Sequence, residues 1–246
     1  MRTARKQIEL LLINYFRKNY SDFPKGNIVA TESPDFILKQ KNRKKLGIEL
    51  TRLYPATVGE DKMQTSPLEN PSEIIETSRE LFERNTKWKL FVKFLFTEPN
   101  RIDPVRVLPV SAMISNRIRK TVIGKNPRSF FHHNLRENEL PAGVKEILII
   151  HHPGLGESVW EEANNLGVSE NIIDDIDRII QKKEDKLSLY RKQQLDENWL
   201  LISSDYLQAA KNYNIHNQLL RKDFHSGFDR ILLFDLLRQR TFEWIK

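Results

Sequence analysis

The chain has 246 residues, with 40 Lys and Arg against 33 Asp and Glu, a net charge of +7 and no cysteine. That length can bury a large core, and the missing thiols exclude a disulfide framework and thiolate metal sites, which makes a reducing cytoplasm the easiest setting. The basic balance points to an anionic partner, nucleic acid first, while the lack of any run of about 18 apolar residues excludes a membrane span.

In chain order, the N-terminal MRTARKQIELLLINYF opens on a basic start and an apolar run. It is interrupted by Glu9 and Asn14 and followed by no small-residue cleavage site, so it is not expected to be a signal peptide. Ile8, Leu11, Leu12, Tyr15 and Phe16 recur at helical spacing and predict an amphipathic helix of about four turns. Three strands are expected at Asn27–Thr31, Asp35–Gln40 and Lys45–Leu53, the last two joined by a polar turn at Lys41–Lys44. A polar, Pro-containing passage, Pro55–Pro71, closes this part.

A helix is predicted at Ser72–Asn85, a half-buried strand at Leu90–Phe96, and a second helix at Val110–Ile123. Gly124–Gly143 reads as an irregular loop and Glu146–His151 as a buried strand. After HPGLGESVW comes the strongest helical pattern, Ser169–Tyr190, and then two apolar strands at Trp199–Ser203 and Ile231–Phe234. The predicted class is α/β, a mixed central sheet with flanking helices, in a single domain over 1–246 with a long insertion at 55–168.

The predicted hairpin places two acids together. In the strand Lys45–Leu53, Leu46, Ile48 and Leu50 share one face and Gly47, Glu49 and Thr51 the other. If Lys41–Arg43 form a three-residue loop, Gln40 pairs Lys44 and Asp35 falls opposite Glu49, with Cβ atoms about 5 Å apart. Two carboxylates so placed repel unless a cation sits between them, and oxygen ligands suit a hard ion such as Mg²⁺. The plainer alternative makes Asp35 the start of a strand after a Pro turn and Glu49 a solvated strand residue. In the 169–190 helix, Ile172, Ile176, Ile180, Leu187 and Tyr190 form a stripe with Lys183 near its centre and Lys186 at its edge. A lysine there must snorkel or meet an anion.

Pro34-Asp35 on one strand and Glu49-Leu50-Thr51 on the next, after a helix bearing Glu9, resemble the PD-(D/E)XK nuclease superfamily. The resemblance covers roughly the first 55 residues and the helix–strand pair at 169–204. It implies an αβββαβ restriction-endonuclease-like core and a Mg²⁺ or Mn²⁺ ion held by Asp35, Glu49 and the Leu50 carbonyl. It also implies Mg-dependent hydrolysis of nucleic-acid phosphodiesters, DNA before RNA. Glu9, or alternatively Glu32, would complete the site. Thr51 stands where the family has its lysine; in some members that lysine lies on the following core helix, and a related group has Gln-Leu-x-x-Tyr there. This chain has Lys186-Leu187-Ser188-Leu189-Tyr190, with Lys183 one turn earlier. Lys183 or Lys186 would then stabilise the developing charge, and Lys→Met at either is expected to stop cleavage while leaving folding largely intact.

Two rivals stand beside this reading: a nuclease-fold protein without catalysis that binds nucleic acid or a protein partner, and an enzyme acting on a smaller anionic substrate. The pairs His132-His133 and His151-His152 read as loop and strand-end residues rather than zinc ligands, and Gly154-Leu155-Gly156 as a turn. Trp199, Trp244 and the terminal FDRILLFDLLRQRTFEWI read most simply as core or partner-facing packing, and this apolar, helix-like stretch could serve a homodimer.

Overall fold

The computed structural model describes residues 4–53, 71–97, 103–163, 172–207 and 219–246. The chain holds two sheets rather than one central sheet and divides into two compact units. One comprises Met1–Tyr15 and Val58–Ala163, the other Phe16–Thr57 and Asn164–Lys246. Each holds a mixed sheet with helices, so the class is α/β with two mixed sheets. The boundary falls within the first helix, α1 (Ala4–Asn19). The 54–70 and 164–171 segments, with most of the Pro55–Pro71 passage and the predicted start at Ser169, lie outside the described residues.

The first unit has a hydrophobic core of its own. Helix α2 (Pro71–Asn85) buries Ile74, Ile75, Ser78 and Phe82. Helix α3 (Val107–Val122) buries Val107, Val110, Ser111, Ile114, Ser115, Ile118 and Val122, a stripe at three- and four-residue steps. Between those stripes and the sheet lie Val92, Phe94, Ile147, Ile149 and Trp160. Its four strands run in the order β5-β6-β4-β7, with β4 (Phe91–Phe96), β5 (Phe131–Arg136), β6 (Val144–His151) and β7 (Val159–Glu162). Strand β4 is buried on both faces rather than half-buried, because β6 and β7 flank it and the unit covers both of its sides. Strand β5 falls where a loop was expected, and β7 lies in a stretch for which no element was predicted. The short polar run FHHNLR gains its strand state from pairing with the full length of β6, a tertiary effect that local propensity does not carry.

The second unit has six strands in the order β1-β2-β3-β8-β9-β10. These are β1 (Gly26–Ala30), β2 (Phe36–Gln40), β3 (Lys45–Arg52), β8 (Glu197–Ser204), β9 (Arg230–Asp235) and β10 (Arg240–Ile245). Strands β3, β8 and β9 are parallel and the outer pairings antiparallel. On one face Leu200, Ile202, Ile231 and Leu233 pack with Ile172, Ile176 and Ile180 of helix α4 (Ile172–Glu184) and Tyr190 of helix α5 (Leu187–Arg191). On the other, Phe16 meets Phe234 edge to face at 5.2 Å, and Tyr20 and Phe23 meet Trp199 at 6.3 and 6.2 Å. Arg230 joins this face through Glu243 at 2.6 Å, which also accepts from Tyr20 at 2.7 Å.

Two expectations are corrected here. The terminal stretch is not helix-like but a β-hairpin, β9–β10, while its Ile231–Phe234 residues form a strand in the core of this unit, as the strand and core-packing readings expect. A strand-length run buried continuously from Ile231 to Asp235, returned by a tight turn at 236–239, competes successfully with an apolar pattern that also fits a helical period. The helix predicted at Ser169–Tyr190 is broken at residues 185–186, where the Lys186 N–H bonds the Lys183 carbonyl at 3.1 Å. No Pro or Gly marks the break. It coincides with a docked loop: the Gly227 N–H donates to Glu184 at 2.6 Å, and Leu187 approaches so closely that a Cβ at Gly227 would meet it at 2.7 Å.

Candidate active site

The hairpin closes as the sequence predicts. Gln40 N–H donates to Lys44 O at 2.9 Å, the loop is Lys41–Arg43, and Arg43 takes a left-handed φ of 68°. Phe36 pairs Ile48 and Leu38 pairs Leu46, so one further step of that register sets Asp35 opposite Glu49. Asp35 follows a cis Ser33–Pro34 bond and precedes β2 by one residue. The Thr31 hydroxyl donates to Pro34 O, the Thr31 N–H donates to Asp35 O at 2.9 Å, and Asp35 Oδ2 accepts the Leu50 N–H at 2.8 Å. Both carboxylates are buried.

Glu49 lies on the sheet face that α4 and α5 cover, in register with Leu200. Its neighbours come from those helices: Lys183 Nζ donates to Glu49 Oε1 at 2.7 Å and Lys186 Nζ to the same oxygen at 3.4 Å. The helix break matters here, because Lys183 ends α4 and Lys186 precedes α5, and both ammonium groups reach one carboxylate across it. Burial alone would push the Glu49 carboxyl up; Lys183, the Tyr190 hydroxyl and Lys186 outweigh it and hold the acid below its usual range. Tyr190 shows the reverse. Burial first, then the charges of Glu49 and Asp35, raise its phenol far above the ordinary value, so it stays protonated. The buried hydroxyl faces Glu49 as a hydrogen-bond donor, with Asp35 close enough to add its charge.

Two further residues on this face carry no chemical signature in the sequence. A Cβ on Gly47 would lie 2.6 Å from Leu195 Cδ1 and 3.0 Å from Pro34 Cγ, so glycine permits Pro34, and with it Asp35, to seat against β3. Asn198, the register partner of Gly47 on β8, has a buried side-chain oxygen without a hydrogen-bond partner.

Of the predicted site residues, Asp35, Glu49, Leu50, Lys183 and Lys186 come together in the second unit. Glu9 belongs to the first unit, where Arg5 at 2.9 Å and Lys6 at 3.1 Å pair with it along its own helix. Glu32 is exposed in the bend before Asp35. Thr51 is on the Glu49 face, and its carbonyl accepts from the Ser203 hydroxyl at 3.2 Å. Among the described residues no three His, Asp or Glu side chains converge, so a metal here would rest on two carboxylates and backbone or water oxygens. His132 and His133 lie on β5 rather than in a loop. The His151 ring sits between the carbonyls of Lys89 and Pro127, each 2.9 Å away.

Comparisons with family models, with curated proteins and with solved structures find no match to this chain.

Proposed function

We propose that the second unit is a divalent-metal-dependent nuclease that hydrolyses phosphodiester bonds, with DNA as its substrate. The observation that carries this reading is the convergence of Lys183 and Lys186 on Glu49, on the face where Asp35 stands opposite. The order of its elements, the end of α1, then β1-β2-β3, α4 with α5, and β8, supports reading it as an αβββαβ core, with β9 and β10 beyond it.

The donor set fits Mg²⁺ or Mn²⁺: oxygens only, two carboxylates among them, with Asp35 held in place by the Leu50 N–H. Asp35, Glu49 and the Leu50 carbonyl would hold the ion, which when bound lowers the pKa of a coordinated water and polarises a phosphoryl oxygen. Lys183 and Lys186 supply the positive charge that Thr51 cannot, moving from Glu49 towards the negative charge that builds on the phosphate. Lys186, half-exposed, is the freer of the two to do so. Tyr190, locked in its protonated form, is a donor and never a competing anion beside the acids. The basic balance of the chain would hold the backbone without reading sequence.

The non-catalytic reading rests on Thr51 and on the closeness of the Lys183–Glu49 pair, which neutralises the acid without a metal. Cleavage of duplex DNA by the full chain with Mg²⁺ or Mn²⁺, compared with Asp35→Ala, separates the two. Metal-dependent cleavage lost in Asp35→Ala supports the nuclease; DNA binding without cleavage under any divalent ion supports its rival.

A further inference from the structure

A groove of about 630 Å³ opens in the first unit where three loops meet: residues 86–89 before β4, 122–127 after α3, and 153–155 after β6. Its walls are tied rather than loose. His151, buried at the end of β6, lies with Nδ1 2.9 Å from the Lys89 carbonyl and Nε2 2.9 Å from the Pro127 carbonyl, so one ring bridges two of the loops. Trp88 stands edge to face with His151, centroids 4.7 Å apart, and with Phe131 at 5.7 Å.

The lining combines two chemistries. Lys87, Lys89 and Lys125 bring three cations, and no acid lines the groove among the described residues. Glu83 tempers one of the three, reaching Lys89 at 3.4 Å. The sequence around α3 reinforces the sign: residues 104–136 contain seven Lys and Arg and no Asp or Glu. Beside the cations are flat and apolar groups, Trp88 and the largely exposed Ile123. A ligand that satisfies both needs an anionic group and a planar ring, and the volume suits one small molecule or one residue of a strand.

We propose that this groove binds a nucleotide unit, its base against Trp88 and its phosphate among Lys87, Lys89 and Lys125. That chemistry is shared by a free nucleotide and by one residue of a single strand. It does not depend on the hydrolytic reading, since every residue invoked lies in the first unit.

Calorimetric titration of the full chain with adenosine 5′-monophosphate, with a short oligodeoxyadenylate and with inorganic phosphate tests it. The nucleotide or the oligomer is expected to bind, and phosphate much more weakly. Lys125→Glu and Lys87→Glu, at exposed side chains that leave the core intact, should each weaken binding roughly tenfold. Trp88→Phe should weaken it less, and Asp35→Asn should leave the monophosphate titration unchanged whether or not the protein cleaves DNA. Tighter binding of the oligomer assigns the site to a strand, and tighter binding of the monophosphate to a free nucleotide. No binding of either, binding untouched by both lysine reversals, or phosphate binding as tightly as the monophosphate overturns the proposal.

Discussion

Each sheet buries ionisable groups on its interior strands, and Lys93 in one and Glu49 in the other are handled differently. In the first unit Lys93 of β4, 1% exposed, meets Glu161 of β7 at 2.8 Å; the two are register partners on adjacent strands, one cation to one anion, and Glu161 keeps a third of its surface in water. In the second unit Glu49 gathers Lys183 and Lys186 from helices more than 130 positions away, a buried phenol, and a second carboxylate across the hairpin. A cross-strand pair of opposite charges is what a fold can use to hold register. Opposed acids are not: they destabilise the sheet they sit in, and apolar residues of similar size would serve its stability as well or better. The surplus of converging, non-neighbouring charge is what supports the proposal of a ligand site in the second arrangement.

The comparison can be broken hardest at Glu49. Glu49→Gln should lower metal-dependent cleavage by a factor of ~10³ or more, as one anionic ligand is lost; steady-state rates check it, and a residual rate near wild type would reduce Glu49 to the status of Lys93's partner. Stability sharpens the contrast next. Lys183→Met leaves Glu49 buried at 3% exposure with only a half-exposed lysine beside it, and should cost about 3–5 kcal/mol in urea denaturation. Lys93→Met should cost less, about 1–2 kcal/mol, because the abandoned Glu161 can recover water. A cost of that size would count against the expectation that a methionine at Lys183 leaves folding largely intact, and the denaturation midpoint decides it. Gly47→Ala comes third: its Cβ would press on Pro34 and Leu195, costing about 1–3 kcal/mol and shifting Asp35 with Pro34. The smallest effect is with pH. Glu49 sits lower folded than unfolded, so its contribution is present above the ordinary carboxylate value, about 4.3, and is lost as pH falls through the lower folded value. Acid denaturation of Glu49→Gln should accordingly begin less steeply below about pH 4 than that of the wild type.

The hairpin was legible because its register depends on short-range chemistry alone: a polar three-residue loop fixes Gln40 against Lys44, and period-two alternation does the rest. Lys183 was legible because a cation at the centre of an apolar stripe is costly wherever the helix packs. The break at residues 185–186 was not, since it coincides with the docked 223–228 loop and carries no Gly or Pro. Strand β5 was hidden for the same reason: FHHNLR becomes a strand by pairing β6. Tyr190 could be placed on the stripe, but its closeness to both acids required the sheet and helices together. Gly47 and Asn198 bear no chemistry of their own and emerge only from packing.

The central claim is that the helix lysines supply the charge that Thr51 lacks, and Lys186 tests it most directly. It is half-exposed, so Lys186→Met should change stability by less than about 1 kcal/mol and leave the site otherwise in place. Single-turnover cleavage of duplex DNA at saturating Mg²⁺ should then fall about 100- to 1000-fold relative to wild type, with the denaturation midpoint and metal affinity nearly unchanged. Equal rates in the two proteins, or no cleavage by the wild type itself, would contradict the account.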